Sequence, residues 1–196
     1  MRNYYRKWMM PFNSWYIGTC FLILAVTSCQ ENRRSAAEKI VKEWMGKEIL
    51  LSAEVDCWYM GRDTLCPPRE NKPFKMLVYT DSVGCTSCKL NLTLWKHYIH
   101  EMDSIAPGQV DFAFYFQPKD RRELAHLLRR DRLEQIVFLD NTGTLKKRNR
   151  LAEQMEYQCF LLDKHNKVVA IGNPTLNPKL WDIYKETIMR NKQNEL

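Results

Sequence analysis

Cys85 and Cys88, separated by Thr86 and Ser87, are the residues whose type and spacing carry the most chemistry in this sequence. A Cys-x-x-C pair can cycle between dithiol and disulfide. One thiolate attacks a disulfide sulfur to form a mixed disulfide, and the second thiol then resolves it. The attacking species is the thiolate, yet an unperturbed cysteine, with a pKa of about 8.5, is mostly thiol at neutral pH. The nucleophile therefore needs a local electropositive environment, which a helix start supplies through unpaired backbone N–H groups and the macrodipole. The pattern puts Cys85 at such a start. An apolar run, Phe74 to Tyr79, reads as a strand, and Asp81-Ser82-Val83-Gly84 as a turn. Cys88, Leu92, Trp95, Ile99 and Met102 then recur on one face of an amphipathic helix. Cys85 is assigned as nucleophile. Cys88, which begins the apolar stripe, is the more buried resolving thiol.

Other chemistries fit less well. Zinc needs four ligands, and the nearby candidates His97 and His100 lie well down the helix, so no metal and no cofactor is expected. Asp81 is close enough in sequence to accept a proton from Cys88, although a polar turn or cap would equally use an aspartate. Thr86 and Ser87 sit where they influence the potential of the pair. Cys57 and Cys66 flank a turn-like segment and could close a small loop or stand as two free thiols, while Cys159 has the setting of a small core residue.

These residues need elements to position them. After the Cys-x-x-C helix, Pro107-Gly108 breaks the chain, and Val110 to Phe116 is apolar on nearly every residue, as in a strand covered on both faces. Leu124, Leu127 and Leu128 mark a helix, Ile136 to Leu139 a strand, and Asp140 to Gly143 a turn. Tyr157 to Leu162 and Lys167 to Ile171 read as an antiparallel hairpin, followed by a helix carrying Leu180, Trp181, Tyr184 and Ile188. Strands alternating with helices, then a hairpin, predict an α/β fold with a central mixed sheet flanked by helices. Upstream, Ser35 to Met45 has helical spacing and ends at Gly46, Ile49 to Trp58 reads as a strand, Tyr59 to Asp63 as a turn, and Pro67 to Pro73 as a linker.

The first 28 residues read as a targeting segment. Arg2, Arg6 and Lys7 precede an apolar run from Tyr16 to Thr27, too short to span a bilayer, which needs about 20 apolar residues. The segment ends in Leu24-Ala25-Val26-Thr27-Ser28-Cys29, which resembles a bacterial lipobox; the resemblance implies acylation of Cys29 and stable anchoring on a membrane. Gln30 after the cysteine implies transfer to the outer membrane, with the domain in the periplasm. The expected organisation is thus a signal peptide over 1–28, an anchor and short N-terminal extension over 29–73, and one domain over 74–196. Removing the signal lowers the formal charge from +7 to +4, which demands no nucleic-acid partner. The basic runs Arg129–Arg132 and Lys146–Arg150 read as solvated faces. A composition 45% hydrophobic and 27% charged suits one compact domain and excludes a disordered chain or a membrane bundle.

Leu77-Val78-Tyr79, Gly84-Cys85-Thr86-Ser87-Cys88-Lys89, and Phe160-Leu161-Leu162-Asp163 with Lys167-Val168-Val169 resemble the thioredoxin-like, TlpA-type lipoproteins and their peroxiredoxin relatives, over residues 72 to 192. The resemblance implies a thioredoxin-like fold and a thiol-disulfide oxidoreductase whose partners are protein thiols or disulfides and an electron donor of the envelope. The sequence departs from it in two places. Tyr157 stands where these proteins carry a cis-proline, and Tyr79 where thioredoxins carry a buried acid. The first departure leaves a rival in view: a binding or scaffold lipoprotein of the same fold, with a static bridge and no turnover.

Overall fold

Runs of apolar residues with no polar alternation form strands buried on both faces, and two such runs make the centre of the sheet. The structure is a computed structural model that describes residues 34–51, 55–68, 72–82 and 90–194. Cys29, Cys85, Thr86, Ser87 and Cys88 lie outside the described residues. The chain divides into two units, residues 1–43 and 44–196. In the first, the described residues form helix α1, which runs over 34–44, with its last residue in the second unit; Arg34 pairs with Glu38 one turn on.

In the second unit the strands are β1 (Asp56–Tyr59), β2 (Arg62–Thr64), β3 (Phe74–Thr80), β4 (Val110–Phe116), β5 (Ile136–Leu139), β6 (Cys159–Asp163) and β7 (Val168–Ile171). They form one sheet in the order β2-β1-β5-β4-β3-β6-β7. β3, β4 and β5 are parallel neighbours; β6 and β7 extend one side antiparallel, and the β1-β2 hairpin extends the other. The crossovers are helices α2 (Leu92–Ile105) and α3 (Arg121–Arg130), the short helix α4 (Thr144–Asn149) follows β5, and α5 (Lys179–Asn194) closes the chain. The mixed sheet flanked by helices is the architecture the sequence predicts.

Alternation along each strand sorts the core into two faces. Met76, Val78, Phe112, Phe114, Val137 and Leu161 share one cluster with Trp95 and Met102 of α2, Leu124 and Leu128 of α3, and Tyr184 and Ile188 of α5. Trp95 anchors it, edge-on to Phe114 with ring centroids 5.7 Å apart. Its truncation to alanine would cost about 3 to 5 kcal/mol. On the opposite face Trp44 packs on Phe160, and Tyr115 stacks on Phe138.

Four local features differ from the sequence expectation. The strand read over Ile49 to Trp58 is confined to its end: among the described residues, 49–51 and 55 lie outside any strand, and β1 is Asp56–Tyr59. The segment read as a turn from Tyr59 to Asp63 is a two-residue turn, Met60-Gly61, both with positive φ, so Tyr59 pairs with Arg62 across a tight hairpin. β2 is exposed throughout and offers no apolar alternation to read. Gly61 is required twice over. Its φ is +70°, and an added Cβ would lie 2.6 Å from the backbone oxygen of Ala125. Tyr157 belongs to a 3-10 turn, Met155–Tyr157, and the strand starts two residues later at Cys159. Helix α4 lies where the sequence shows only a basic run, since Leu145 and Asn149 are its buried residues. The two readings left open for Cys57 and Cys66 resolve to a disulfide, Cα–Cα 5.2 Å, which ties β1 to the chain leaving β2. Closing a loop of this size stabilises the fold by about 2 to 3 kcal/mol.

Candidate functional site

The residues that surround the end of β3 form a polar cluster at the C-terminal edge of the parallel strands, the usual place for sites in sheets of this type. Thr80, the last residue of β3, accepts a hydrogen bond at its carbonyl from the Gln117 N–H, 2.8 Å, which ties the ends of β3 and β4 together. Asp81 follows directly. Its side chain is only 2% exposed, and Oδ2 accepts from Lys146 Nζ at 3.0 Å and from Gln158 Nε2 at 3.3 Å. Asp81 is therefore a buried, paired carboxylate.

Lys146 reaches Asp81 from α4, and Glu153 holds it from the other side at 2.6 Å. Burial works against the ammonium, but the hydrogen bonds to Glu153 and Asp81 outweigh it and hold the lysine above its ordinary pKa. Lys146 thus leaves the solvated face expected of the basic run. α4 is itself held by Asp140, whose carboxylate accepts from the N–H groups of Thr144 and Leu145 at 2.7 and 2.9 Å. Gln158 is fully buried; its side-chain amide also donates to the Ala152 carbonyl at 2.9 Å, while its backbone carbonyl accepts from the Tyr79 N–H. One residue thus joins the start of β6, β3 and the loop after α4.

Tyr79, at the position the family resemblance gives to a buried acid, donates its phenol to Gln117 Oε1 at 3.2 Å. Burial first, then the negative charges of Asp140 and Asp81, push this phenol far up, so it stays protonated and serves as a donor. On the N-terminal side of α2, Asn91 adopts left-handed backbone and precedes the helix without a side-chain cap. The stripe Leu92, Trp95, Ile99 and Met102 is buried as the spacing requires. Its first member, Cys88, belongs to the segment 83–89, outside the described residues. Tyr157 is half-buried ahead of β6, and no cis peptide bond occurs among the described residues. Lys146, Gln158 and Asp140 are the members the sequence reading missed. The available signal was the apolar pair Leu145 and Leu151 bracketing the basic run, which implies that one side of it faces inward.

Cys159 is the free cysteine among the described residues, opposite Val78 in the β3–β6 ladder and within the core cluster. Burial pushes its thiol strongly up. Above about pH 8.5 the unfolded chain releases this proton while the folded chain keeps it, so stability falls as pH rises. Cys159→Ala should flatten the dependence of unfolding free energy on pH between about pH 9 and 11 by up to about 1.4 kcal/mol per pH unit. Urea unfolding under anaerobic conditions measures it; parallel profiles for parent and variant would contradict the burial.

Among the described residues no group of His, Cys, Asp and Glu is arranged to hold a metal ion, and no helix is long and apolar enough to cross a membrane. No protein-family model and no curated protein matches the sequence. Solved structures do. An uncharacterized thioredoxin-like protein from Porphyromonas gingivalis matches 74% of this chain and 92% of its own, at 14% identity and a TM-score of 0.51. A cysteine-to-serine mutant of peroxiredoxin Q from Xanthomonas campestris matches 68% of this chain and 90% of its own, at 9% identity and a TM-score of 0.50. With the strand order and the helix placement, these likenesses establish that the chain has a thioredoxin-like fold.

Proposed function

We propose that the protein is a membrane-anchored thiol-disulfide oxidoreductase of the bacterial cell envelope, acting through Cys85 and Cys88. One observation carries this reading: the Cys-x-x-C falls in the chain between the C-terminal end of the central strand β3 and helix α2 of a thioredoxin-like sheet. In this reading the Cys85 thiolate attacks a substrate disulfide, the S–S bond breaks, and one substrate sulfur leaves as a thiol. Cys88 gives up its proton and attacks the Cys85 sulfur, the second substrate thiol leaves, and the pair is now oxidised. A dithiol donor of the envelope restores the pair by the same two steps in reverse. Asp81 accepts the Cys88 proton, with Lys146 and Gln158 fixing its orientation and balancing its charge. Thr86 and Ser87 tune the potential, and Tyr157 borders the substrate groove.

The same reading removes residues 1–28, acylates Cys29 and holds the protein on the outer membrane, facing the periplasm. A second reading, a scaffold with a static bridge, is favoured by Tyr157, which lies in a turn of trans peptides where exchange proteins carry cis-proline. The two readings separate on whether the pair cycles reversibly at potentials of exchange proteins, roughly −120 to −270 mV, or is held as a structural disulfide.

A further inference from the structure

A surface cavity of about 410 Å³ lies by the β6-β7 turn, and an apolar slot of about 70 Å³ lies under Pro67 and Pro68. Neither meets the polar cluster. A third cavity, about 460 Å³, does: Gln117, Gly143, Lys146, Lys147, Arg150 and Glu153 line it. Gln117 follows β4, Gly143 follows β5, and the cations come from α4 and its C-terminal cap, so the cavity opens at the strand ends where β3 runs on to Asp81.

The charges of the lining do not cancel. Lys146 is shared between Asp81 and Glu153, and Glu153 is held by Lys146. Lys147 is exposed and donates to a neutral carbonyl, that of Thr142; Arg150 is exposed, and its backbone N–H bonds at the end of α4. Two cations thus face solvent in a concavity whose anion is already paired.

We infer that this cavity is the docking site for acidic side chains of a polypeptide substrate, so that the protein selects thiol or disulfide partners with Asp or Glu near their cysteine. This rests on the exchange reading above and names the substrate class for it. A polypeptide fits better than an anionic lipid surface, because single side chains can enter a concavity of about 460 Å³ whereas a planar sheet of headgroups meets only its rim. Charge matched across such a cavity raises the encounter rate and is screened by salt.

The test uses the full chain in neutral detergent and two fluorescent peptides that differ only in four flanking residues, Asp/Glu or Lys. In the first arm serine replaces the peptide cysteine, so binding is read without exchange. The acidic peptide should bind at least about tenfold tighter at low salt, and Lys147→Glu with Arg150→Glu should abolish the preference. Arg129→Glu with Arg132→Glu, the same charge change at the far end of α3, should retain it. Equal binding of both peptides, a preference that survives the Lys147 and Arg150 changes, or one lost equally in the control overturns the inference. So does binding to phosphatidylglycerol vesicles that needs Lys147 and Arg150 while the acidic peptide fails to bind. In the second arm the peptides carry a disulfide. Faster exchange with the acidic one supports substrate selection, and equal exchange rates overturn it. Selective binding with no exchange toward any peptide supports the cavity as an acidic-polypeptide site and counts against the exchange reading alone.

Discussion

Cys88→Ser is expected to turn the protein into a trap. Cys85 still attacks, but nothing resolves the intermediate, so a mixed disulfide with the substrate accumulates and is seen as a covalent adduct by intact mass. Cys85→Ser should form no adduct, and its turnover of a disulfide peptide should fall to the rate of the buffer thiol alone. The asymmetry is the informative part. Both substitutions abolish turnover, but only an attacking first cysteine and a resolving second one make the adduct specific to Cys88→Ser. Equal adducts in both variants would reverse or erase the assignment of roles, and undiminished turnover in Cys85→Ser would remove the pair from the mechanism.

Lys146→Met should be the most costly single change in the polar cluster. It removes the ammonium that pairs with the Asp81 carboxylate, whose side chain is 2% exposed. Breaking one partner of a buried pair costs about 3 to 5 kcal/mol, far more than the pair itself contributes relative to a well-packed apolar alternative. The lysine side chain is 16% exposed and its second partner Glu153 is on the surface, so the lower end of that range is expected. Lys146→Arg keeps the charge and should recover most of the loss. Urea unfolding measures both variants; a Lys146→Met loss below about 1 kcal/mol would mean that Asp81 is hydrated or otherwise compensated.

The parts of the fold legible in the sequence are those set by local pattern. β3 and β4 are apolar on nearly every residue, α2 carries a clean helical stripe, and the β6-β7 hairpin is announced by a tight polar connection. The misreadings come from elements with little burial of their own. β2 has no buried residue, and α4 buries only two, so neither imprints a period on the sequence. The site divides in the same way. Asp81 is legible because it directly follows the apolar run of β3. Lys146 and Gln158 meet Asp81 from 65 and 77 residues away, and only the parallel order β5-β4-β3 with β6 alongside brings them to one edge. No spacing rule encodes such an encounter. Tyr79 illustrates the limit from the other side: its place in the chain suggests a lost acid, whereas its burial and its bond to Gln117 make it a permanent donor.

The central claim is that Cys85 and Cys88 exchange electrons as a pair, and its most direct test is the reduction potential of that pair. The full chain in detergent is equilibrated in thiol-disulfide buffers of graded potential. Alkylated cysteines are then assigned by peptide mass, so that Cys57, Cys66 and Cys159 are counted apart. The account predicts a reversible two-electron transition at Cys85 and Cys88 within roughly −120 to −270 mV. A pair that remains oxidised well below about −300 mV would be a structural disulfide, and the scaffold reading would replace the exchange one.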